Sequence, residues 1–250
     1  MIFLLLGVYL IWENCTVGVT RYTIREGIRD DICIAHVSDV HNSSLWKRTI
    51  DLLTEARPDA ICITGDLVDS RLTNVEKALA FAAEAVKIAP CYYVTGNHEL
   101  RLPATHYEQL ILGLQALGVH VLQNETVDLL IGQTRIALTG ASWGSSLYLG
   151  QRDESADLTL LLAHAPEEFE SYAAAGFDLV LSGHAHGGQF RIPLVGGLYS
   201  PGEGFFPEYD NGLYTSGNTQ MIVSRGIGNS VIPVRILNRP ELIILELKAA

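Results

Sequence analysis

The sequence predicts an α/β sandwich with mixed β-sheets, and two observations point there. In the first half, short apolar runs alternate with stretches of helical spacing. The second half is mainly strand-like, and rich in Gly, Pro and aromatic residues from Gly187 onward. The 250 residues contain no internal repeat, no low-complexity linker and no clear domain boundary, and 48% are hydrophobic, enough for one sizeable core.

Residues 17–25 alternate like a half-exposed strand. Ile32 to Val37 is short and mostly apolar, as expected of a strand buried on both faces. From Ser44 onward, Leu45, Trp46, Ile50, Leu53 and Ala56 fall at helical spacing, and Pro58 stands where that helix cannot continue. Ala60 to Thr64 is the next buried strand. Thr73-Asn74-Val75-Glu76 has the form of a capping box with Thr73 as the cap, ahead of an apolar stripe through Leu79, Ala82 and Val86. Pro90 ends that helix, and Cys91 to Thr95 is a third strand. A helix over 103–117 carries the stripe Tyr107, Leu110, Ile111, Leu114 and Leu117, and Gly118 stops it. Strand-like pieces near 119–122, 126–131 and 134–139 are close enough in sequence to pair as hairpins. Leu158 to Ala163 is a buried strand, Pro166 starts a short helix ending at Gly176, and Asp178 to Ser182 is another strand. The remaining strands are expected near 189–192, 220–225 and 240–247.

Residues 1–16 form an apolar N-terminal segment ahead of a single catalytic domain over 17–250. Met1 to Trp12 carry no charged side chain before Glu13 interrupts. Twelve such residues are too few to span a bilayer, which takes about 20, and the basic start and cleavage site of a signal peptide are missing. The segment is read as a short or truncated membrane anchor, with a terminal stretch packed on the domain as the alternative. Arg21, Arg25 and Arg29 favour a cytoplasmic catalytic domain, although Arg21 and Arg25 alternate with apolar residues in a strand. Without an anchor the protein would be cytoplasmic. A net charge of −11 and a pI near 5.1 disfavour nucleic acid as a partner. Cys15, Cys33, Cys62 and Cys91 make no C-x-x-C pair and are read as small buried apolar residues.

Five of the eight histidines lie in short acidic or glycine-bounded motifs, each just after an apolar strand. These are Asp39-Val40-His41, Gly65-Asp66, Gly96-Asn97-His98-Glu99, Ala163-His164 and Gly183-His184-Ala185-His186. In open α/β sheets ligands bind beyond the carboxyl ends of strands, so these residues can converge. Asp and His suit Zn²⁺, Mn²⁺ or Fe²⁺. Asp39 and His41, two apart, can face one ion. Asp66 is the natural carboxylate to bridge two ions, and Asn97 adds a neutral oxygen. His184 and His186, again two apart, can serve one ion each. Two such ions generate a hydroxide at neutral pH and stabilise the entering and leaving oxygens of an in-line displacement, which is phosphoester hydrolysis chemistry.

These motifs resemble the D-x-H, G-D, G-N-H-[DE], lone H and G-H-x-H series of the calcineurin-like metallophosphoesterase superfamily over roughly residues 31–190. The text Gly183 to Pro193, with Ser224 to Gly228 and Val19 to Thr23, is similar to a bacterial, often membrane-anchored branch of phosphodiesterases and UDP-2,3-diacylglucosamine pyrophosphatases. The resemblance implies a sandwich of two mixed sheets flanked by helices. It also implies a dinuclear metal-dependent phosphohydrolase at a bacterial cell membrane, acting on a phosphodiester or pyrophosphate that is lipid- or nucleotide-linked. A phosphomonoesterase or phosphoprotein phosphatase is the runner-up, and a non-catalytic scaffold is the non-enzyme rival. Carried over, Asp39, His41 and His186 would hold the first metal, Asn97, His164 and His184 the second, and Asp66 would bridge them. A hydroxide between the metals would attack, and His98, not a ligand, would assist the leaving group as a general acid.

Around these motifs, Glu99 is expected behind the ligands. Asp69 either orients a ligand or caps the following turn, and Asn42 either touches substrate or shapes a turn. His36, His106 and His120 read as structural or surface residues, and Arg225, in a glycine-rich turn, either forms a salt bridge, the favoured reading, or meets a phosphate. The irregular aromatic segment 199–209 either meets a lipid-linked substrate or packs over the second sheet.

Overall fold

The computed structural model describes residues 1–25, 27–144, 152–229 and 232–249. The chain opens with helix α1 (Ile2–Cys15) and strands β1 (Gly18–Arg25) and β2 (Ile32–Val37). Next come α2 (Trp46–Ala56), β3 (Ala60–Thr64), α3 (Val75–Ala85), β4 (Cys91–Val94), α4 (Asn97–Leu100), α5 (Ala104–Ala116) and β5 (His120–Val121). The second half runs β6 (Glu125–Ile131), β7 (Thr134–Gly140), β8 (Leu158–Leu162), α6 (Phe169–Ala174) and β9 (Leu179–Ser182). Then follow the short strands β10 (Arg191–Ile192), β11 (Gly196–Gly197), β12 (Tyr199–Ser200) and β13 (Gly204–Phe205), and finally β14 (Gly212–Ser216), β15 (Thr219–Val223) and β16 (Glu241–Lys248).

Two six-stranded mixed sheets result, ordered β1-β16-β2-β3-β4-β5 and β14-β15-β9-β8-β7-β6. Side chains alternate across each strand, so each sheet has two apolar faces to cover. Ile32 and Ile34 of β2 join Leu160 and Leu162 of β8 and Leu179 and Leu181 of β9 between the sheets. Ala35 and Val37 of β2 face the other way and pack with Leu53, Phe81, Leu110 and Leu114 of α2, α3 and α5. Val180 and Val223 meet Phe169 and Tyr172 beside the second sheet. The layering is therefore helix, sheet, sheet, helix, as the resemblance implied. β2, β3 and β4 run parallel in one sheet, as do β8 and β9 in the other.

Local differences from the sequence reading have physical causes. Asn74, not Thr73, caps α3, its side chain accepting from the Lys77 amide, while Thr73 donates to the Asp69 carbonyl. The 119–122 piece does not enter a hairpin. Its two-residue β5 pairs parallel to β4 and completes the first sheet, whereas β6 and β7 alone form the expected antiparallel pair. β14 is an additional edge strand, antiparallel to β15. Cys62 and Cys91 are buried, but Cys33 is only partly buried and Cys15 is exposed at the end of α1.

His36 is fully buried on β2, with Nε2 2.8 Å from Thr64 Oγ1. Burial, which disfavours the charged ring and outweighs Glu241 and Asp39, pulls it down to about 4. The unfolded chain takes up this proton near the ordinary value of about 6.5, and the folded chain refuses it until about 4, so the contribution to stability is full above 6.5 and falls as pH drops toward 4. Urea unfolding of wild type and His36→Gln should show a stability gap that narrows by about 2 kcal/mol between pH 7 and 4.5. A gap independent of pH would contradict this assignment.

Candidate active site

Every residue singled out by the strand-end motifs lies at one end of the sandwich. Asp39 and His41 follow β2, Asp66 follows β3, Asn97 and His98 open α4 after β4, His164 follows β8, and His184 and His186 follow β9. All eight are buried. Asp39, His41, Asp66, His184 and His186 have φ between 45° and 66°, the left-handed region. Non-glycine residues hold that conformation at a cost of about 1–3 kcal/mol each, and such strain concentrates at functional sites. Glycine gives the backbone room beside them: a Cβ on Gly96 would lie 2.2 Å from Asp66 Oδ1, and one on Gly183 would strike Ser38 and Asp39.

The ligand atoms fall into groups. Asp39, His41 and His186 form one, and Asp66, His164 and His184 another; within each, one donor atom per residue lies within 4.8 Å of the others. In the first, His41 Nε2 and His186 Nε2 are 3.2 Å apart, and Asp39 Oδ1 is 3.6 Å and 3.4 Å from them. In the second, His164 Nε2 is 3.3 Å from Asp66 Oδ2, which is also 3.5 Å from His41 Nε2. Asp66 thus touches both groups. His41, Asp66 and His98 satisfy the same distance criterion, but the tautomer of His98 argues against its being a ligand. The Ser70 amide donates to His98 Nδ1 at 3.0 Å. The neutral ring therefore carries its proton on Nε2. His164 has the opposite arrangement, donating from Nδ1 to the Thr64 carbonyl at 2.5 Å, so that Nε2 is the nitrogen turned toward the carboxylates.

Asp39 Oδ1, Asn97 Oδ1 and His164 Nε2 are buried with no hydrogen-bond partner among the described residues. Buried polar atoms are normally satisfied, so three unmet acceptors on three candidate ligands fit a cation. Electrostatics agree. Burial opposes ionisation of Asp39 and Asp66, yet the neighbouring imidazoles hold both carboxyls far below the usual range. Burial likewise opposes protonation of His164, but Asp66 and Asp39 prevail and push it up to about 10. His184 and His186 are pulled down to about 3, chiefly by burial. Among these groups alone, and against burial, the carboxylates hold His164 and His41 toward the protonated form while His184 and His186 stay neutral; a divalent cation would take the place of those protons, since carboxylates and neutral imidazoles are the forms that ligate metals.

Other residues set this geometry. Glu99 accepts from the amides of Asp66 at 2.9 Å and Gly96 at 2.7 Å, fixing both loops. Burial and then Asp66 raise it to about 7. Asp69 Oδ1 caps its own turn through the amides of Arg71 and Leu72; Oδ2 pairs with the Arg71 guanidinium at 3.2 Å and is 4.0 Å from His41 Nδ1. Asn42 bonds the Leu72 carbonyl from a left-handed turn. Arg225 pairs with Glu241 at 2.7 Å. His120 is an exposed ring stacked on Tyr92. Within 199–209, Pro201 reaches the site, Phe205 and Phe206 are exposed, and Tyr209 packs on Phe169 and Tyr214.

Trp143 escaped the sequence reading. It follows β7 and lies against His184 and His164, with ring centroids 4.6 Å and 5.5 Å away. The available signal was its place at the end of another apolar strand. Arg71 and Arg101, which flank the cleft over Asn97 and His98, were also missed.

Acids and imidazoles gathered at the strand ends of a double mixed sheet define a metal-dependent phosphoester hydrolase. The calcineurin-like phosphoesterase family matches residues 33–188, and the chain belongs to that family. It is similar to the uncharacterized metallophosphoesterase YkuE of Bacillus subtilis, 30% identical over 95% of this chain and 87% of that one. Phosphodiesterase YaeI of Escherichia coli is 33% identical over 86% of this chain and 81% of its own length. Among solved structures, TT1561 of Thermus thermophilus shares the fold, with a TM-score of 0.51 and 12% identity over 79% of this chain and 90% of that one. Members of the family bind divalent metals, and this chain has the His and Asp groups to do so.

Proposed function

We propose a dinuclear phosphohydrolase that cleaves a phosphodiester or pyrophosphate. Asp39, His41 and His186 hold one divalent ion, Asn97, His164 and His184 the second, and Asp66 bridges them. The observation that carries this reading is the position of Asp66 Oδ2, within 3.5 Å of an imidazole from each group. Bound ions supply an activated water and positive charge facing the phosphate; Mn²⁺, Zn²⁺ and Fe²⁺ all suit these donors. The chain's residues do the rest. Glu99 and the Thr64 carbonyl hold the ligands in place, and His98 presents an Nε2 proton to the leaving oxygen.

Two clefts meet at the site and share Arg71. One, of about 220 Å³, is lined by Asn97, His98, Arg101 and Pro201. The other, of about 350 Å³, runs past His41, Asn42 and Lys77. A diester or pyrophosphate extends on both sides of the scissile phosphorus, and a monoester on one, so paired clefts favour the former. The name of the Escherichia coli relative points the same way. Basic residues stand along both clefts although the chain carries −11 net charge, which suits a substrate with a further anionic group, such as a nucleotide-linked pyrophosphate. A panel of bis-aryl diesters, aryl monoesters and nucleotide-sugar pyrophosphates with Mn²⁺, Zn²⁺ and Mg²⁺ tests this. Diester or pyrophosphate should exceed monoester at least about tenfold in kcat/KM, one lost contact's worth of selectivity; the reverse ranking supports a phosphomonoesterase. Arg101→Gln should raise KM for the pyrophosphate about tenfold with kcat nearly unchanged, and an unchanged KM would remove Arg101 from substrate binding.

The N-terminal segment is proposed to contact a membrane surface, next to a lipid-linked substrate. No helix of the described residues is long and apolar enough to cross a membrane. On α1, however, Leu4, Leu5, Leu6, Val8, Ile11 and Trp12 are each half-exposed or more, an apolar surface that the acyl region of a bilayer would cover. The full chain should sediment with neutral phospholipid vesicles, and Leu5→Glu with Ile11→Glu should abolish it. Equal sedimentation of both proteins would refute the contact.

A further inference from the structure

The two groups of ligands are supported from different parts of the chain. Glu99 and Thr64 stand behind Asp66 and His164, as described above. Asp39 and His186 rest instead on residues 225–229 and 232–238, where Ile227 donates its amide to the Ser38 carbonyl at 3.1 Å and Gly228 donates to the Asp39 carbonyl at 2.6 Å. Asn238, fully buried, donates from Nδ2 to the carbonyls of His186 at 2.7 Å and Gln189 at 3.1 Å. This grips a loop in which His186, Gly187, Gly188 and Gln189 all have positive φ. Arg235, also fully buried, donates to the carbonyls of Arg225 at 2.6 Å and Gly228. Its guanidinium comes to 3.4 Å from His186 Nδ1, too far for a well-formed hydrogen bond.

Both Asn238 and Arg235 are themselves held by the last turn of α1. Buried Glu13 accepts from the Asn238 amide at 2.5 Å. Asn14 accepts from the Arg235 amide at 2.7 Å and donates to the Arg235 carbonyl at 3.0 Å. Trp12 adds a face to the Arg239 guanidinium, 4.7 Å from the ring centroid. The path from Glu13 to the His186 loop thus passes through Asn238 alone, and the path from Asn14 reaches Asp39 through Arg235 and Gly228. No comparable path links α1 to Asp66 or His164 among the described residues, and His184 is reached only one step further on, through its amide, which donates to Asp39 Oδ2 at 3.0 Å.

We infer that the N-terminal helix is a positioning element for one metal site: Glu13 and Asn14, acting through Asn238 and Arg235, set the affinity of the Asp39, His41 and His186 group and leave the other group largely untouched. The inference rests on the two-metal reading above. Residues that orient metal ligands typically change affinity by about 10–100-fold when removed, so the asymmetry is measurable.

The test is a titration of metal-free full-length protein with Mn²⁺, with the bound metal counted and the two affinities resolved. Wild type should bind two equivalents. Glu13→Ala and Asn238→Ala should each weaken one equivalent about 10–100-fold and leave the second within about threefold. Glu13→Gln, which keeps the acceptor for the Asn238 amide, should restore wild-type binding. Thermal unfolding of the metal-free proteins distinguishes a weakened site from a collapsed fold; if Glu13→Ala does not fold, the Glu13→Gln and Asn238→Ala pair decides. Equal weakening of both equivalents, or of neither, overturns the inference. A wild type that binds fewer than two equivalents overturns the two-metal reading instead.

Discussion

Asp66→Asn is expected to abolish metal-dependent hydrolysis, lowering kcat by about a thousandfold or more. Asp66 has the most demanding position in the site. Oδ1 accepts from the His98 amide at 2.9 Å, and Oδ2 lies between His41 and His164. Asparagine offers one neutral oxygen and an NH₂ group in the same volume. If the oxygen stays on the amide, the NH₂ points at two imidazole nitrogens that must present lone pairs to metal. If it flips, the His98 amide loses its acceptor. Either way the shared anionic ligand is gone, and metal analysis should show fewer than two bound equivalents. Survival of substantial activity would mean that Asp66 is not the bridge.

His98→Asn should behave differently, keeping both metals and lowering kcat by about 10²–10³-fold, the range for losing one oriented hydrogen-bond donor to a developing oxyanion. The Ser70 amide donates to Nδ1, so the proton available to substrate is on Nε2. Burial lowers the proton affinity of His98, with Asp66 opposing, which keeps the ring neutral and a donor. The loss should be largest for substrates with poor, alkyl-type leaving groups and smallest for nitrophenolates, which depart without a proton. Loss of a metal from His98→Asn would assign it to the His41, Asp66 and His98 group as a ligand.

The candidate site was legible because its chemistry is carried in short motifs at strand ends, where a turn follows an apolar run and glycine leaves room. Asp39, Asp66, Asn97, His164 and His184 each stand in such a motif, and the sheets bring the motifs to one end. The sandwich was legible for a related reason, since buried parallel strands read as unbroken apolar runs. What escaped lacks those signals. β5 has two residues, and proximity to β6 and β7 suggested a local hairpin; pairing with β4 across a helix leaves no mark in the text. Thr73 and Asn74 are both good caps, and only side-chain direction selects Asn74. α1 is apolar all round, so its composition does not say which residues face the domain. Glu13, Asn14, Arg235 and Asn238 come from opposite ends of the chain. Their hydrogen bonds in irregular backbone have no period to detect.

The central claim, that two metals sharing Asp66 make one catalytic unit, is tested most directly by one titration. Hydrolysis of a bis-aryl phosphodiester by metal-free protein is followed as Mn²⁺ is added in counted equivalents. The rate should stay low through the first equivalent, rise steeply with the second and level off at two. Full activity at one equivalent, or a rate indifferent to added metal, would contradict it.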